Sequence, residues 1–309
     1  MVLLKAKTAN CRHRGRLGRR VAPYIYILPA TLFMVIFVGI PILMSVYMSF
    51  YKIESVNAKW VFVGLKNFVD VFGRNDFGPA MLRTLVLAVF SVVTTLGGGL
   101  LLANLVAHHK WLNFYRYIFY VPTVVSAITM GRLWSMILMP SSSGLMNMVL
   151  KKLFGWEKPV NWLGDPKITL YVIMGIGLVG VGGGMTLILF TTAINDIPQE
   201  VREAAILDGV NGWQMLQRIT VPMIWPVISS WTILSIIGAF KSFEFIYALT
   251  GGGPAGSTRT IAILLYESSK TSSNGYGYSA AMGLLLTLFV SIFSLTYMRV
   301  SNYGKSSED

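Results

Sequence analysis

The sequence predicts an all-α protein that crosses a membrane six times. Three observations carry that expectation. Hydrophobic residues make up 54% of the 309 and charged residues only 13%, with a mean hydropathy of +0.61, outside the range of soluble domains. Apolar runs of roughly 20 residues, the length that crosses a bilayer's hydrocarbon core, recur along the chain. Seven bases, Lys5, Lys7, Arg12, Arg14, Arg16, Arg19 and Arg20, precede the first of these runs, as expected of a tail held on the cytoplasmic side.

Residues 1–23 read as a basic tail on anionic cytoplasmic lipid, where each Lys or Arg gains about 1 kcal/mol. The first span is expected over about 24–51. It is too long for a signal-peptide core and lacks a small-residue cleavage site, so it is expected to stay attached, kinked at Pro29 and Pro41. Residues 52–82 are mixed and charged and belong outside. A second span, about 84–106, follows Arg83 and carries Gly97, Gly98 and Gly99, which allow a close helix approach. The loop from His108 to Arg116 lies inside, and a third span, about 117–139, contains Pro122 and Arg132. Residues 140–168, with Lys151, Lys152, Lys158 and Lys167, form the next outer segment. In the fourth span, about 168–192, Gly175, Gly177, Gly180, Gly182, Gly183 and Gly184 make a stripe a neighbouring backbone could lie against. A polar loop at 193–222, a fifth span at about 223–247, a turn at Gly251–Pro254, a sixth span at about 279–300 and a short tail at 301–309 complete the chain. Six spans place both termini, and the polar loop, in the cytoplasm.

Composition excludes several functions. The formal charge of +13 would suit nucleic acid, but six spans and the concentration of bases at the N-terminus assign it to topology and lipid. Cys11 is the single cysteine and the histidines are His13, His108 and His109, so neither a disulfide nor a metal-ligand set is expected. Gly304-Lys305-Ser306 resembles the end of a phosphate-binding loop, yet Arg299 stands where that pattern needs its first glycine. No cofactor and no catalytic residues are expected on this chain.

The polar loop is the informative stretch. Pro198 suits a helix start, Glu200 and Glu203 suit the positive end of its dipole, and Ala204-Ala205 favour helix. Gly209 should end that helix in a left-handed cap, and Leu216 and Ile219 resume an apolar period before Pro222. The loop therefore reads as two short helices lying flat on the cytoplasmic face, a docking surface with Asp208 and Gly209 at its turn.

Glu203-Ala204-Ala205, then Gly209, Ile219 and Pro222, match the spacing of the E-A-A motif, with Val221 in place of leucine. Here the chain resembles the membrane subunits of binding-protein-dependent ABC importers, type I. Y-I-L-P-A at 26–30, F-V-G-L-K-N-F at 62–68, N-W-L-G-D-P at 161–166 and F-E-F-I-Y-A-L-T-G-G-G-P at 243–254 narrow the resemblance to carbohydrate uptake, the maltose and glycerol-phosphate type of first permease. The resemblance implies a second homologous permease, two ATPase subunits that hold ATP and Mg, an extracytoplasmic solute-binding protein, and residence in a bacterial inner membrane. Glu203, Ala204, Ala205, Asp208 and Gly209 would then seat on the ATPase, and Gly251, Gly252, Gly253 and Pro254 would meet the binding protein. An ABC permease for another solute and a transporter or scaffold working without an ATPase are the alternatives.

Ionisable residues inside spans are costly and mark function. Arg132 either snorkels outward or lines the substrate path; Lys241 and Glu244, one turn apart, either pair or line it. Ser235, Ala239 and Ser242 fall on one helical face if the fifth span is continuous, and the resemblance sets that face and Gly182 at the sugar cavity. Trp134, Phe243, Phe245 and Tyr247 suit stacking on sugar rings, and the bases hint at an anionic saccharide.

Overall fold

A computed structural model of the chain describes residues 23–54, 59–179, 183–240, 242–270 and 275–301. The basic tail, the Gly304-Lys305-Ser306 segment, Gly180, Gly182 and Lys241 lie outside them. Four helical stretches are long and apolar enough to cross a membrane: Pro23–Met48, Phe77–Val106, Trp225–Thr250 and Gly275–Val300. The expected third and fourth spans are each assembled from two shorter helices, and the fifth is interrupted.

Helix α1, Pro23–Met48, is apolar all round, and its most hydrophobic stretch is wholly unburied by its own chain. It widens to a π-helical turn at Val35–Gly39 just before Pro41, which spaces the ring from the preceding carbonyls. Two-residue strands, β1 (Tyr51–Lys52) and β2 (Val61–Phe62), pair antiparallel, Tyr51 opposite Phe62. Asn67, buried on α2 (Lys66–Phe72), donates through Nδ2 to the carbonyls of Ser49 and Tyr51, so helix and hairpin are one unit.

Helix α3, Phe77–Val106, begins seven residues before the expected second span, because it continues upstream of Arg83 to Phe77, which is buried together with Ala80. Buried Thr84 on α3 donates to the Ala80 carbonyl and accepts from the Ile261 amide at 3.0 Å. The third span divides into α4 (Leu112–Val124) and α5 (Ala127–Ile137). Pro122 removes a donor from the last turn of α4, Val125 and Ser126 turn extended (ψ 134° and 146°), and Ser126 caps α5 by accepting from the Thr129 amide. The span was expected to run unbroken through Pro122; with Ser126 capping a new helix four residues later, it divides in two.

Helix α6 (Leu145–Phe154) covers the outer segment, where buried Asn147 bonds the carbonyls of Met139, Ser141 and Val160, the Val160 amide and the Trp162 indole. The fourth span appears as α7 (Thr169–Val179) and α8 (Gly184–Asn195). Of the described glycines in the stripe, Gly184 is the one that packs closely, so near the backbone of Phe119 and Tyr120 that a Cβ would overlap it, and Gly183 before it takes φ +29°, whereas Gly175 meets open space. Short helices α9 (Gln199–Leu207) and α10 (212–223) follow.

The fifth span is α11 (Trp225–Phe240) and α12 (Phe243–Thr250), with Ser242 leaving helical geometry at ψ 43°. Helix α13 (Ile261–Lys270) packs on α14 (Gly275–Val300) and on α3. Three apolar clusters result. One joins Val71, Phe77, Ile261, Tyr278 and Met282; a second joins Ala103, Leu187, Phe190 and Ile228; a third joins Leu87, Ile173, Ile246, Leu249 and Ile263. The second lies under the polar loop and the third borders the cavity described next.

Candidate functional site

The polar loop folds as two capped helices. Pro198 is the N-terminal flanking residue of α9 and Glu200 lies in its first turn. At the other end Gly209 takes φ +73°, its amide bonds the Ile206 carbonyl, and the Val210 amide bonds the Ala205 carbonyl. That paired pattern around a left-handed residue is a Schellman cap, which a residue with Cβ disfavours. Two residues on, Asn211 and Gln214 exchange bonds of 2.9 and 3.0 Å as a capping box for α10. Both helix ends are thus satisfied within the loop, and the loop keeps its shape without a partner.

Glu203 is exposed and accepts from Gln199 Nε2 at 2.6 Å, leaving its second carboxylate oxygen for another donor. Ala204, Asp208 and Gly209 are exposed; Ala205, at 6%, is not. The alanines were expected to present themselves together, but they lie 100° apart around a helix resting on the body, so one faces out and one in. The sequence reading missed the largest surface here. Leu207 is 88% exposed, Ile206 64% and Trp213 59%. Ile206 and Leu207 stand three and four residues after Glu203, on its face, and that spacing was the available signal.

The loop is held to the body where Arg202 on α9 meets His108 Nδ1 at 3.0 Å. Just ahead of the loop, Arg116 on α4 donates to Thr191 and Thr192 on α8 at 2.9 and 3.2 Å. Burial, then the Arg202 charge, hold the His108 pKa below its ordinary value, so the neutral ring accepts from the guanidinium.

A cavity of about 430 Å³ opens among α3, α4, α5, α7 and α12, lined by Phe90, Ser91, Pro122, Met130, Trp134, Gly177, Ser242, Phe245 and apolar neighbours. Of the expected path residues that are described, Ser242 alone lines it; Trp134 and Phe245, proposed for stacking, do as well. Ser235 and Ala239 are half-buried on α11, and the break after α11 takes Ser242 off their shared face. Arg132 and Glu244 are both exposed on the surface of this chain. Gly182 and Lys241 lie outside the described residues. Phe243 and Tyr247 stack on each other, centroids 5.1 Å apart, and pack against Tyr266.

The Gly251–Pro254 turn is tied down. Gly251 caps α12 at φ +61°, Gly252 is buried, and Thr258 links the Gly253 carbonyl to the Thr250 hydroxyl. Gly251 and Ala255 form its exposed surface. Beside it Arg259 faces Asp76 and Glu267, and Asp76 also pairs with Arg74.

The chain combines apolar helices of membrane-spanning length, a self-capped polar loop and a lined cavity, an arrangement suited to a membrane transport subunit. Residues 95–302 match the family described as binding-protein-dependent transport system inner membrane component, and the chain belongs to it. A probable ABC transporter permease protein, YurN of Bacillus subtilis (strain 168), is 31% identical over 93% of this chain and 98% of its own. The trehalose/maltose transport system permease protein MalF of Thermococcus litoralis is 30% identical over 91% of this chain and 94% of its own. The fold is that of an ABC importer permease: a chain in the crystal structure of a bacterial ABC transporter that imports the acidic polysaccharide alginate superposes with a TM-score of 0.80, at 23% identity, over 96% of this chain and all of that one.

Proposed function

We propose that this chain is one of two homologous permease subunits of an ATP-driven importer that takes up an oligosaccharide or related sugar. It crosses the bacterial inner membrane six times, α4 with α5 and α7 with α8 each completing one crossing, and both termini are cytoplasmic. Two ATPase subunits hold ATP and Mg, and an extracytoplasmic binding protein delivers the solute at Gly251–Pro254. The observation that carries this reading is the 199–213 loop. It is preformed by its own caps, it exposes Glu203, Ala204, Leu207 and Trp213, and its E-A-A spacing is that of a surface seated in a partner. A leucine left 88% exposed gains free energy only when something covers it.

Sugar as the solute is supported by the names of the relatives and by Trp134 and Phe245 on the cavity wall. An anionic saccharide is favoured over a neutral one by the alginate importer's likeness in fold; glycerol phosphate is the remaining alternative. Three experiments test the reading. Purification should bring ATPase subunits with this chain, and Glu203→Lys should abolish uptake while leaving insertion intact; solute movement by this chain alone in liposomes would refute it. Uronate oligosaccharides on the binding protein should stimulate ATP hydrolysis more than neutral ones, and equal stimulation would refute the anionic assignment.

A further inference from the structure

Helix α8 leads within three residues into the coupling helix α9, and it is fastened to α4 at two places. At one, Gly184 lies against the backbone of Phe119 and Tyr120 without room for a methyl group. At the other, Arg116 forks onto adjacent hydroxyls, Nε to Thr191 Oγ1 at 2.9 Å and Nη2 to Thr192 Oγ1 at 3.2 Å. Thr191 is fully buried and donates its own proton to the Leu187 carbonyl at 2.7 Å, so its lone pair is aimed at the guanidinium. Residues 116, 119 and 120 share one face of α4, and 184, 187 and 191 one face of α8. Two attachments seven residues apart along α8 fix the angle between the helices as well as their register.

One turn and a half beyond Arg116, Pro122 forms part of the cavity wall. Past it the chain is extended at Val125 and Ser126, and α5 resumes with Met130 and Trp134, also on the wall. Helix α5 is itself pinned to α12, where a Cβ on Gly131 would come within 2.8 Å of the Ala248 Cβ. The compliant point is therefore the 125–126 junction, with a rigid body on either side.

We propose that α4 and α8 form one rigid lever, clamped by Arg116, that carries displacement of the coupling helix to the cavity wall at Pro122. Arg116 is a positioning residue. Its planar fork reaches two hydroxyls at once, which a lysine ammonium on a flexible stem does not reproduce. The inference rests on the proposed ATP-driven function and specifies how its stroke crosses the subunit.

The test uses the assembled complex in lipid nanodiscs, with Cys11 replaced by Ser and spin-label pairs placed on exposed residues. Asn195→Cys with Leu288→Cys reports the end of α8; Val124→Cys with Leu288→Cys reports the end of α4. Distances are compared without nucleotide and after trapping with Mg-ATP and vanadate. In the parent chain both pairs should shift by similar amounts. In Arg116→Gln and in Thr191→Val the Asn195 pair should still shift, whereas the Val124 shift should fall by at least half. Combining the two substitutions should add little, since they remove one contact, and Arg116→Lys should lie between. An unchanged Val124 shift in both single variants would overturn the clamp and leave the transport function standing. Absence of any shift in the parent complex would overturn the ATP-driven reading and the clamp with it.

Discussion

Leucine 207 offers the sharpest test of the docking surface. At 88% exposure its side chain contributes almost nothing to the subunit's own packing, so Leu207→Ala should leave the fold's stability within about 0.5 kcal/mol. On docking, nearly all of that side chain is available to be covered. Truncation removes three carbons, and at about 0.8 kcal/mol for each buried methylene the loss is about 2.4 kcal/mol. That corresponds to roughly 50-fold weaker association at about 1.4 kcal/mol per decade. The measurement is titration of purified ATPase subunits onto the permease in nanodiscs, alongside thermal unfolding of the permease alone. Unaltered affinity would remove Leu207 from the interface. A drop in the permease's own unfolding temperature would show that its exposure had been misjudged.

Three further outcomes follow from contacts already described. Gly209→Val puts a β-branched residue at φ +73°, so the cap should open and transport-coupled ATP hydrolysis should vanish while membrane insertion, read by protease mapping, stays normal; coupled hydrolysis at parental rates would refute it. Thr84→Val leaves the buried Ile261 amide without its acceptor and should destabilise the chain by about 1–3 kcal/mol in thermal unfolding; no change would mean the amide finds another partner. For His108 the folded pKa is lowered, so the folded state binds fewer protons than the unfolded one just below the ordinary value near 6.5. Its stabilisation is full above that pH and is lost as pH falls through the window beneath it. The parent should therefore lose its advantage over His108→Gln as pH falls below about 6.5, and a gap that held constant would refute the lowered pKa.

Residues that act through local chemistry were legible in the sequence. Pro198 and Gly209 bracket α9 because one suits a helix start and the other tolerates a left-handed end, whatever surrounds them. The E-A-A spacing prompted a family recognition, and the family match bears that recognition out. What sequence reading missed depends on neighbours or on continuity. A period of 3.6 projects Ser235, Ala239 and Ser242 onto one face only while the helix runs unbroken, and Ser242 leaves helical geometry. The run around Pro122 reads as one apolar span until Ser126, the second of two extended residues, is seen to cap a new helix. Residue type alone separates neither Ala204 from Ala205 nor an exposed Leu207 from a buried one.

The divided third span also constrains how the chain is made. Helix α4 has 13 residues and α5 has 11, about 20 and 16 Å long, so neither reaches across roughly 30 Å of hydrocarbon. Arg132 adds a penalty of about 2.5–3.5 kcal/mol at mid-membrane depth. A segment this short and this costly does not partition into lipid by itself. Its packing partners come later in the chain, α8 for α4 and α12 for α5. A segment of this length is settled only once those helices have been made, and changes that loosen α12 should show first as lost α5 in the bilayer.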